Sequence, residues 1–536
     1  MPAATAWAPL RRRMYRALWI AQFAGNVGTW AQTVGAQWLM GDLGGSALEV
    51  SLVQTAMTLP VFLLVVPAGA LGDIFDRRRL LLAGQTVMLA GAAALAAVTA
   101  AHHVSPGSLL AFTATMAVGQ ALSVPSFQAI QPELVPRAEI AQAALLNSAN
   151  ANIARALGPA LGGVLIAAVG AEATFALNAV SFLGVLAVIF AWRRPRADRP
   201  LGAERLVAAT RAGARYVRSA PAFATVLARS ASFMLFAGGL WSLLPSLARG
   251  PLRLDAGGYG LLLACLGAGA VTAAVVLPSL RTVLGTNTVI AAGTVLYGLA
   301  DLVAGLTGSL PAVVVALFLA GVAWIAVLST LNSAAQLLLP AWTRARALAY
   351  YQLVFMGGQA LGALVWGFVA DVAGLATAFA VPGAGLVVAA LAGGRALRLP
   401  DSTFELGRTR YWPEPPAAAT VSGPVQVQVE WRVPAPRAAE FERAMQPVGW
   451  ARRRSGATRW RLHRDLDEPE RFVEQFVVAS WDEHLRQHYE RSTELDRQLD
   501  QRVRDLTVSG EPPVVRHLAQ TVLPRRDRRL LGRSPR

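Results

Sequence analysis

Twelve stretches of about twenty or more mostly apolar residues follow one another through the first four hundred positions, near 15–40, 49–71, 80–101, 107–130, 140–168, 171–192, 225–249, 258–280, 286–307, 310–338, 345–371 and 374–397. A helix of about 20 residues crosses the hydrocarbon core of a bilayer. In hydrocarbon each backbone polar group must find its partner within the chain, which leaves helices as the economical solution. One such stretch can be a buried core helix; twelve in succession with short connections predict an all-α polytopic membrane protein. Charge is thin where the stretches lie. The 536 residues are 15% charged, against about 25% for ordinary soluble domains. Residues 1–400 hold 12 acidic residues and 25 Arg, whereas 401–536 hold 20 and 24. The last quarter of the chain therefore reads as a soluble tail.

The net charge of +17 suggests nucleic acid only until the arginines are located. One set of connections carries Arg11 to Arg13, Arg16, Arg77 to Arg79, Arg137, the run from Arg193 to Arg218, Arg281, Arg344, Arg346, Arg395 and Arg398. The alternate set carries only Arg249 and Arg253, with Asp42, Glu49, Glu172 and Asp255 at that boundary. Basic residues accumulate on the cytoplasmic side of membrane proteins, so both termini are expected inside the cell and no nucleic-acid partner is expected. The N-terminal stretch runs on to Met40 without a clear cleavage site and does not read as a secretory signal. Cys265 is the only cysteine, which excludes an intramolecular disulfide.

A polar break at 193–224 divides the stretches six and six. Leu206, Ala209, Ala212 and Tyr216 recur there at helical spacing beside Arg205, Arg211, Arg215 and Arg218, predicting a basic amphipathic helix on the inner membrane surface. The fifth stretch contains GPALGG (Gly158 to Gly163), and the eleventh contains GQALGA (Gly358 to Ala363), 200 residues later. Duplicated six-helix units are how many transporters are built, with the substrate path between them. The expected domains are 1–192 and 225–400 for the two halves, 193–224 for the central loop, 401–420 for a Pro- and Ala-rich linker, 421–520 for a folded tail and 521–536 for a basic, disordered end.

The connection after the second stretch reads GALGDIFDRRR, with Gly69, Leu71, Asp73, Arg77, Arg78 and Arg79 at the spacing G-x-L-x-D-x-x-x-R-R-R. This resembles the loop signature of the major facilitator superfamily, a twelve-helix fold of two six-helix halves. Gly69 permits close helix approach, and Asp73 can accept from a helix N-terminus. The arginines can pair with inner carboxylates or lipid phosphate. Together they form a candidate gating latch. The corresponding loop after the eighth stretch retains only Arg281. Gly158, Pro159, Gly162 and Gly163 match G-P-x-x-G-G, which resembles the exporter and antiporter motif of the same superfamily. The stretches PELVPR (Pro132 to Arg137), LNSANANIARALGPALGG (Leu146 to Gly163), RAGARYVR (Arg211 to Arg218), GVAWIAVLSTLN (Gly321 to Asn332) and SWDEHLRQH (Ser480 to His488) extend the likeness from about Leu18 to Ala519. They resemble its secretion-effector family, of the enterobactin-exporter type. The resemblance implies efflux of siderophore-like or drug-like small organics, driven by proton entry.

Within the stretches a few polar residues stand out. Arg155 falls near the middle of the fifth, where a charge costs roughly 2.5–3.5 kcal/mol on insertion scales, so it must face a cavity or a partner. With Gln22, Asn26 and Gln32, with Asn147, Asn150 and Asn152, and with Gln336, Gln352 and Gln359, it is a candidate for the substrate path. Asp301 is the deepest acid and the candidate for proton coupling, although ninth helices of this fold are usually peripheral. Trp30, Trp38, Trp241, Trp324 and Trp366 suit stacking on a flat ligand as well as packing. No phosphate-binding G-x-x-x-x-G-K-[ST] occurs, so an ATP-driven pump is not expected. The tail reads strand–helix–strand–strand–helix–strand, with 436–453 and 481–504 as its helices, an α+β ferredoxin-like order. It resembles small dimeric monooxygenase-type domains, which implies a tail-mediated dimer. His484 and His488 are four apart on one helix face, but no third ligand follows from sequence, so intradomain or surface hydrogen bonding is expected rather than a metal site, and no cofactor. The alternative to an exporter is a membrane-anchored ligand-binding or monooxygenase-like module whose tail carries the activity.

Overall fold

The computed structural model describes residues 7–74, 76–130, 134–136, 139–192, 216–340, 342–400, 409, 412, 423–508 and 513–519. Asn152, the environment of Gly69 and the side chain of Asp73, most of the central loop and of the 401–420 linker, and the 521–536 end lie outside the described residues. Two compact units emerge, one containing residues 1–206, 225–336 and 348–401 and the other 207–224, 337–347 and 402–536.

In the first unit the apolar stretches are twelve long helices: α1 (Arg13–Asp42), α2 (Ala47–Ile74), α3 (Arg77–Ala100), α4 (Pro106–Ile130), α5 (Ile140–Ala168), α6 (Ala171–Ala191), α7 (Pro221–Arg249), α8 (Ala256–Leu284), α9 (Thr286–Leu306), α10 (Leu310–Leu337), α11 (Arg344–Ala373) and α12 (Leu375–Ala396). Among the described residues, eleven of these helices are long and apolar enough to span a membrane. The exception is α1, which has the length but carries Gln22, Asn26, Gln32 and Gln37 along it. Its polarity is used inside the protein. From Ala31 to Met40 every residue of α1 is buried.

Small residues set how closely the helices approach. A Cβ on Gly158 would collide with Cβ of Trp30, and one on Gly162 would come within 2.9 Å of the Ala31 backbone. The α5 seam thus lies directly against α1. The second half repeats the arrangement. A Cβ on Gly358 would meet Met234 at 2.8 Å and one on Gly362 would strike the Leu235 carbonyl, so α11 lies on α7 as α5 lies on α1. Gly163 faces Gly260 of α8, and Gly367 faces Ser51 of α2, which are close approaches between the two halves.

The tail forms β1 (Val425–Arg432), α13 (Ala438–Ser455), β2 (Arg459–Arg464), β3 (Arg471–Val478), α14 (Trp481–Arg486), α15 (Glu494–Arg504) and β4 (Val514–Ala519). Its antiparallel sheet has the order β2-β3-β1-β4, the ferredoxin-like arrangement that the strand and helix order predicted. Val425, Val427, Val429 and Trp431 alternate inward and pack with Phe441, Met445, Phe472 and Phe476. The single helix expected over 481–504 is broken. A π turn occupies Gln487–Arg491, and Thr493 starts a new helix through a capping box with Asp496. Two loops join this unit. Tyr216 OH donates to the Leu338 carbonyl at 3.1 Å, and Arg491 lies 4.9 Å from the centre of the Trp342 ring. Tyr216 is therefore buried against protein, and burial raises its hydroxyl to about 12; the rest of the predicted amphipathic face, Leu206, Ala209 and Ala212, lies outside the described residues.

Candidate functional site

The polar face of α1 is bonded to α5 and α6. Asn26 Nδ2 donates to Asn150 Oδ1 at 3.0 Å, and Asn150 Nδ2 donates to the Trp19 carbonyl at 2.9 Å. Tyr15 OH lies 2.9 Å from the Ala143 carbonyl and 3.4 Å from Asn147 Oδ1. Deeper, Asn178 Nδ2 donates to Gln32 Oε1 at 2.5 Å. Gln32 and Asn178 line a cavity of about 30 Å³ with Thr29, Thr113 and three methionines, Met57, Met88 and Met116. Unbranched thioethers adapt to irregular ligands, and the amides fix orientation. A second cavity of about 40 Å³ sits in the other half, between Arg229, Phe233, Thr294 and Val327.

Arg155 points toward α1, with its guanidinium 5.5 Å from the Trp30 ring centre and its Nε lacking a hydrogen-bond partner. From Trp30 the aromatic contact continues across the two halves. Trp30 meets Trp241 at 5.9 Å, Trp241 meets Trp324 at 5.4 Å, and Trp324 meets Phe233 and Tyr297 at 5.8 and 5.9 Å. The indole N–H groups of Trp241 and Trp324 are buried without partners. Asp301 sits one turn beyond Tyr297 on α9, packed against Gly383 of α12. It is fully buried, and neither carboxylate oxygen has a hydrogen-bond partner. Among the other path candidates, Gln359 is buried beside α7, Gln22 is half-buried and Gln352 is exposed.

The halves are clasped at one end of the bundle. Arg249 Nη2 bonds Asp42 Oδ1 at 2.6 Å and the Trp38 carbonyl at 2.8 Å, while its guanidinium lies 3.8 Å from the Trp38 ring centre. Tyr259 OH donates to Gln37 Oε1 at 3.0 Å, and Asp371 Oδ1 accepts from the Leu48 amide at 3.1 Å. Sequence reasoning missed this role for Arg249. The signal was its position, as one of two arginines in the otherwise arginine-poor connections.

At the latch, Asp76 caps α3 by accepting from the Arg79 amide at 3.0 Å. Arg78 reaches the C-terminal carbonyls of α6, Ile189 at 3.1 Å and Phe190 at 2.7 Å, where the helix dipole favours a cation. Arg77 opens the same helix. The lone Arg281 of the second half is held by hydroxyls of α10, Thr330 and Ser329, both at 2.7 Å. Pro159 is buried within α5 between the two glycines of the seam.

In the tail, His484 and His488 are buried and not on the surface. The structure brings His517 of β4 to them, which sequence spacing had no means of showing. The three form a group that could hold a metal ion. Burial lowers all three imidazoles, His484 to about 4 and His488 to about 3, so they are neutral at pH 7. His463 stands apart and exposed on β2.

A bundle of two six-helix halves around a polar, aromatic centre defines the class. Its fold is that of solved transporters. One is an autoinhibited POT family peptide transporter (TM-score 0.60, 14% identity, 73% of this chain and 98% of that one). Another is a bacterial homologue of the human lysosomal transporter Spinster, solved inward-facing and unoccupied (TM-score 0.57, 16% identity, 73% and 96%). The chain belongs to the transmembrane secretion effector family, whose sequence profile matches residues 4–524, the tail included. Among curated relatives, it is 32% identical over 162 residues to the staphyloferrin A transporter of Staphylococcus aureus, covering 30% of this chain and 41% of that one. It is 28% identical over 158 residues to the multidrug efflux pump Tap of Mycobacterium tuberculosis, covering 28% and 38%. An uncharacterized MFS-type transporter of Bacillus subtilis, YfiS, matches at 26% over 212 residues, covering 39% and 50%. The match thus spans between about two fifths and half of the length of these relatives. The protein is a multi-pass membrane protein of a transporter family.

Proposed function

We propose that this protein exports small organic molecules across the bacterial cell membrane by alternating access, exchanging them for protons, with both termini in the cytoplasm. The carrying observation is the clasp of Arg249 on Asp42 and Trp38, which joins the two halves at one end of the bundle. The arginine distribution assigns that end to the outside. A pathway clasped at that end is open to loading only from the cytoplasmic side, as export requires. The close approaches of Gly163 to Gly260 and of Gly367 to Ser51 provide surfaces on which the halves rock, the seams of Gly158, Gly162, Gly358 and Gly362 hold each half together, and Gly69, Asp73, Arg77 and Arg78 serve the opposite gate.

The chemistry of the centre favours a substrate with a flat ring and an anionic or oxygen-rich group. Trp30, Trp241 and Trp324 supply the aromatic wall, and Arg155 supplies the cation. Asn26, Gln22, Asn150, Gln352 and Gln359 are the polar path. A siderophore-like or drug-like organic fits this description, in keeping with the names of the staphyloferrin A and multidrug relatives. Asp301 carries the proton. Its carboxylate is buried without a donor, so a negative charge there has no protein partner and protonation can switch its environment. Membrane lipid surrounds the helices, and the tail pairs two copies.

The test is flux in proteoliposomes loaded with a panel of labelled anionic and neutral aromatic compounds. An imposed pH gradient should drive movement opposite to protons. Movement that ignores the gradient, or no movement of any compound with the protein intact, would overturn the reading.

A further inference from the structure

The tail has a place where three imidazoles converge, two of them buried and one half-buried. His484 Nε2 lies 2.9 Å from His517 Nε2 and 3.2 Å from His488 Nε2. The proton positions follow from Gln487. Its side-chain nitrogen donates to the Arg452 carbonyl at 3.3 Å and to Ser455 Oγ at 3.1 Å. A carbonyl can only accept, so the amide orientation is settled and Gln487 Oε1 is an acceptor. That oxygen lies 3.2 Å from His484 Nδ1, which therefore carries the proton. His484 Nε2 is left with an in-plane lone pair aimed at two other imidazole nitrogens. One lone pair accepts one good hydrogen bond, and an unsatisfied polar group in a buried site costs about 1–3 kcal/mol. One neutral ring can donate to that lone pair, which leaves the other to share it or to face it lone pair to lone pair, whereas one cation accepting three lone pairs engages all three rings.

From this geometry we infer that His484, His488 and His517 form a binding site for a single divalent transition-metal ion of the zinc type. Imidazole nitrogens suit such ions. Bonds of 2.0–2.1 Å in a tetrahedral site set ligand nitrogens about 3.3–3.4 Å apart; the His484–His517 and His484–His488 pairs would open by only a few tenths of an ångström to reach this, and all three ligand atoms already lie within 4.8 Å of one another. Gln487 already plays the part of the outer partner that orients a ligating histidine by accepting from its other nitrogen. The two ligands four apart are presented by α14 and the π turn, and such turns recur at functional sites. The third comes from β4, where His517 pairs with Val427 in the sheet.

The electrostatic surroundings accept a cation. Arg452 is the near positive charge, but it is held by two buried carboxylates, Glu474 at 3.0 Å and Asp500 at 2.7 Å. The Trp412 ring closes the site, 4.6 Å from the His488 ring centre and 4.4 Å from the Arg452 guanidinium. Three protein ligands leave a fourth position for water or a small ligand.

The experiment uses the full chain, purified in detergent with a histidine-free tag, stripped with chelator and titrated with zinc or cobalt(II) alone. Elemental analysis after gel filtration should find about one zinc per chain, and cobalt(II) should develop the visible absorption of a tetrahedral nitrogen site. The double variant His488→Ala/His517→Ala should lose that stoichiometric ion, while His463→Ala should keep it. Gln487→Leu, which leaves all three ligands in place, should weaken affinity about tenfold to a hundredfold. Sub-stoichiometric zinc with no cobalt spectrum in the unmodified protein would overturn the inference without reliance on any variant. Equal binding by the double variant would also overturn it.

Discussion

The two units treat buried charge in opposite ways. In the tail, buried charged side chains are paired: Arg452 with Glu474 and Asp500, Arg454 with Asp496, Arg491 with Glu483. In the helical bundle, the buried work is done by neutral amides and hydroxyls, such as Asn26 on Asn150 and Asn178 on Gln32. Among the described residues, two of its charges stand without ion partners, Asp301 of α9 with no hydrogen bond and Arg155 of α5 against a ring face. Paired charges lock a conformation. Unpaired ones are costly in a fixed fold and are retained where something passing through supplies the partner. The difference separates the charges that hold the tail together from those that the proposed function assigns to substrate and proton.

The largest expected effect tests the locking half of that comparison. Arg452→Ala would strand two carboxylates in the tail core and should destabilise the tail by about 3–5 kcal/mol, read by denaturant titration of its tryptophan fluorescence in the full chain. A stable tail would break the distinction. Next, Gly158→Leu forces a side chain into Trp30, and overpacking of this kind costs about 1–3 kcal/mol. The melting temperature in detergent should fall, and a more modest loss is expected for Gly358→Leu, where the nearest atom, Met234 Cβ, stands farther off at 2.8 Å. Arg155→Gln should lower export of anionic compounds about tenfold, a difference of about 1.4 kcal/mol, while neutral compounds move as before; equal loss for both would remove Arg155 from recognition. The smallest change in stability belongs to Asp301→Asn, within about 0.5 kcal/mol, because no partner is left behind. It should nonetheless uncouple flux from the pH gradient while substrate exchange continues, and unaltered coupling would move the proton site elsewhere.

Much of the fold was legible because hydrocarbon enforces a simple code. An apolar run of bilayer length is a helix, and the observed boundaries fall within a few residues of the runs. Departures came from local hydrogen bonding. The third helix begins at Arg77, earlier than its apolar run, because Asp76 caps it. The long tail helix breaks because Thr493 and Asp496 form a capping box, a pattern visible in the sequence but masked by the continuous polar periodicity around it. The candidate sites were less legible. Arg155 and Asp301 announced themselves as charges in apolar runs. The Trp30–Trp241–Trp324 contact and the meeting of His517 with His484 join residues that only the tertiary fold brings together. Neither spacing nor periodicity encodes such meetings.

The polar character of α1 has a consequence for how the chain is made. This helix leaves the ribosome before the other eleven, and it is the poorest candidate of the twelve for entering lipid by hydrophobicity alone. The groups that will satisfy its amides arrive late: Asn150 is 124 residues behind Asn26, and Asn178 is 146 residues behind Gln32. At about 5–20 residues per second, roughly 6–30 s of synthesis separate the appearance of α1 from the completion of its bonds. During that interval its amides lack the partners they bond in the folded protein, so slowing translation before α5 should raise the fraction of molecules degraded at birth.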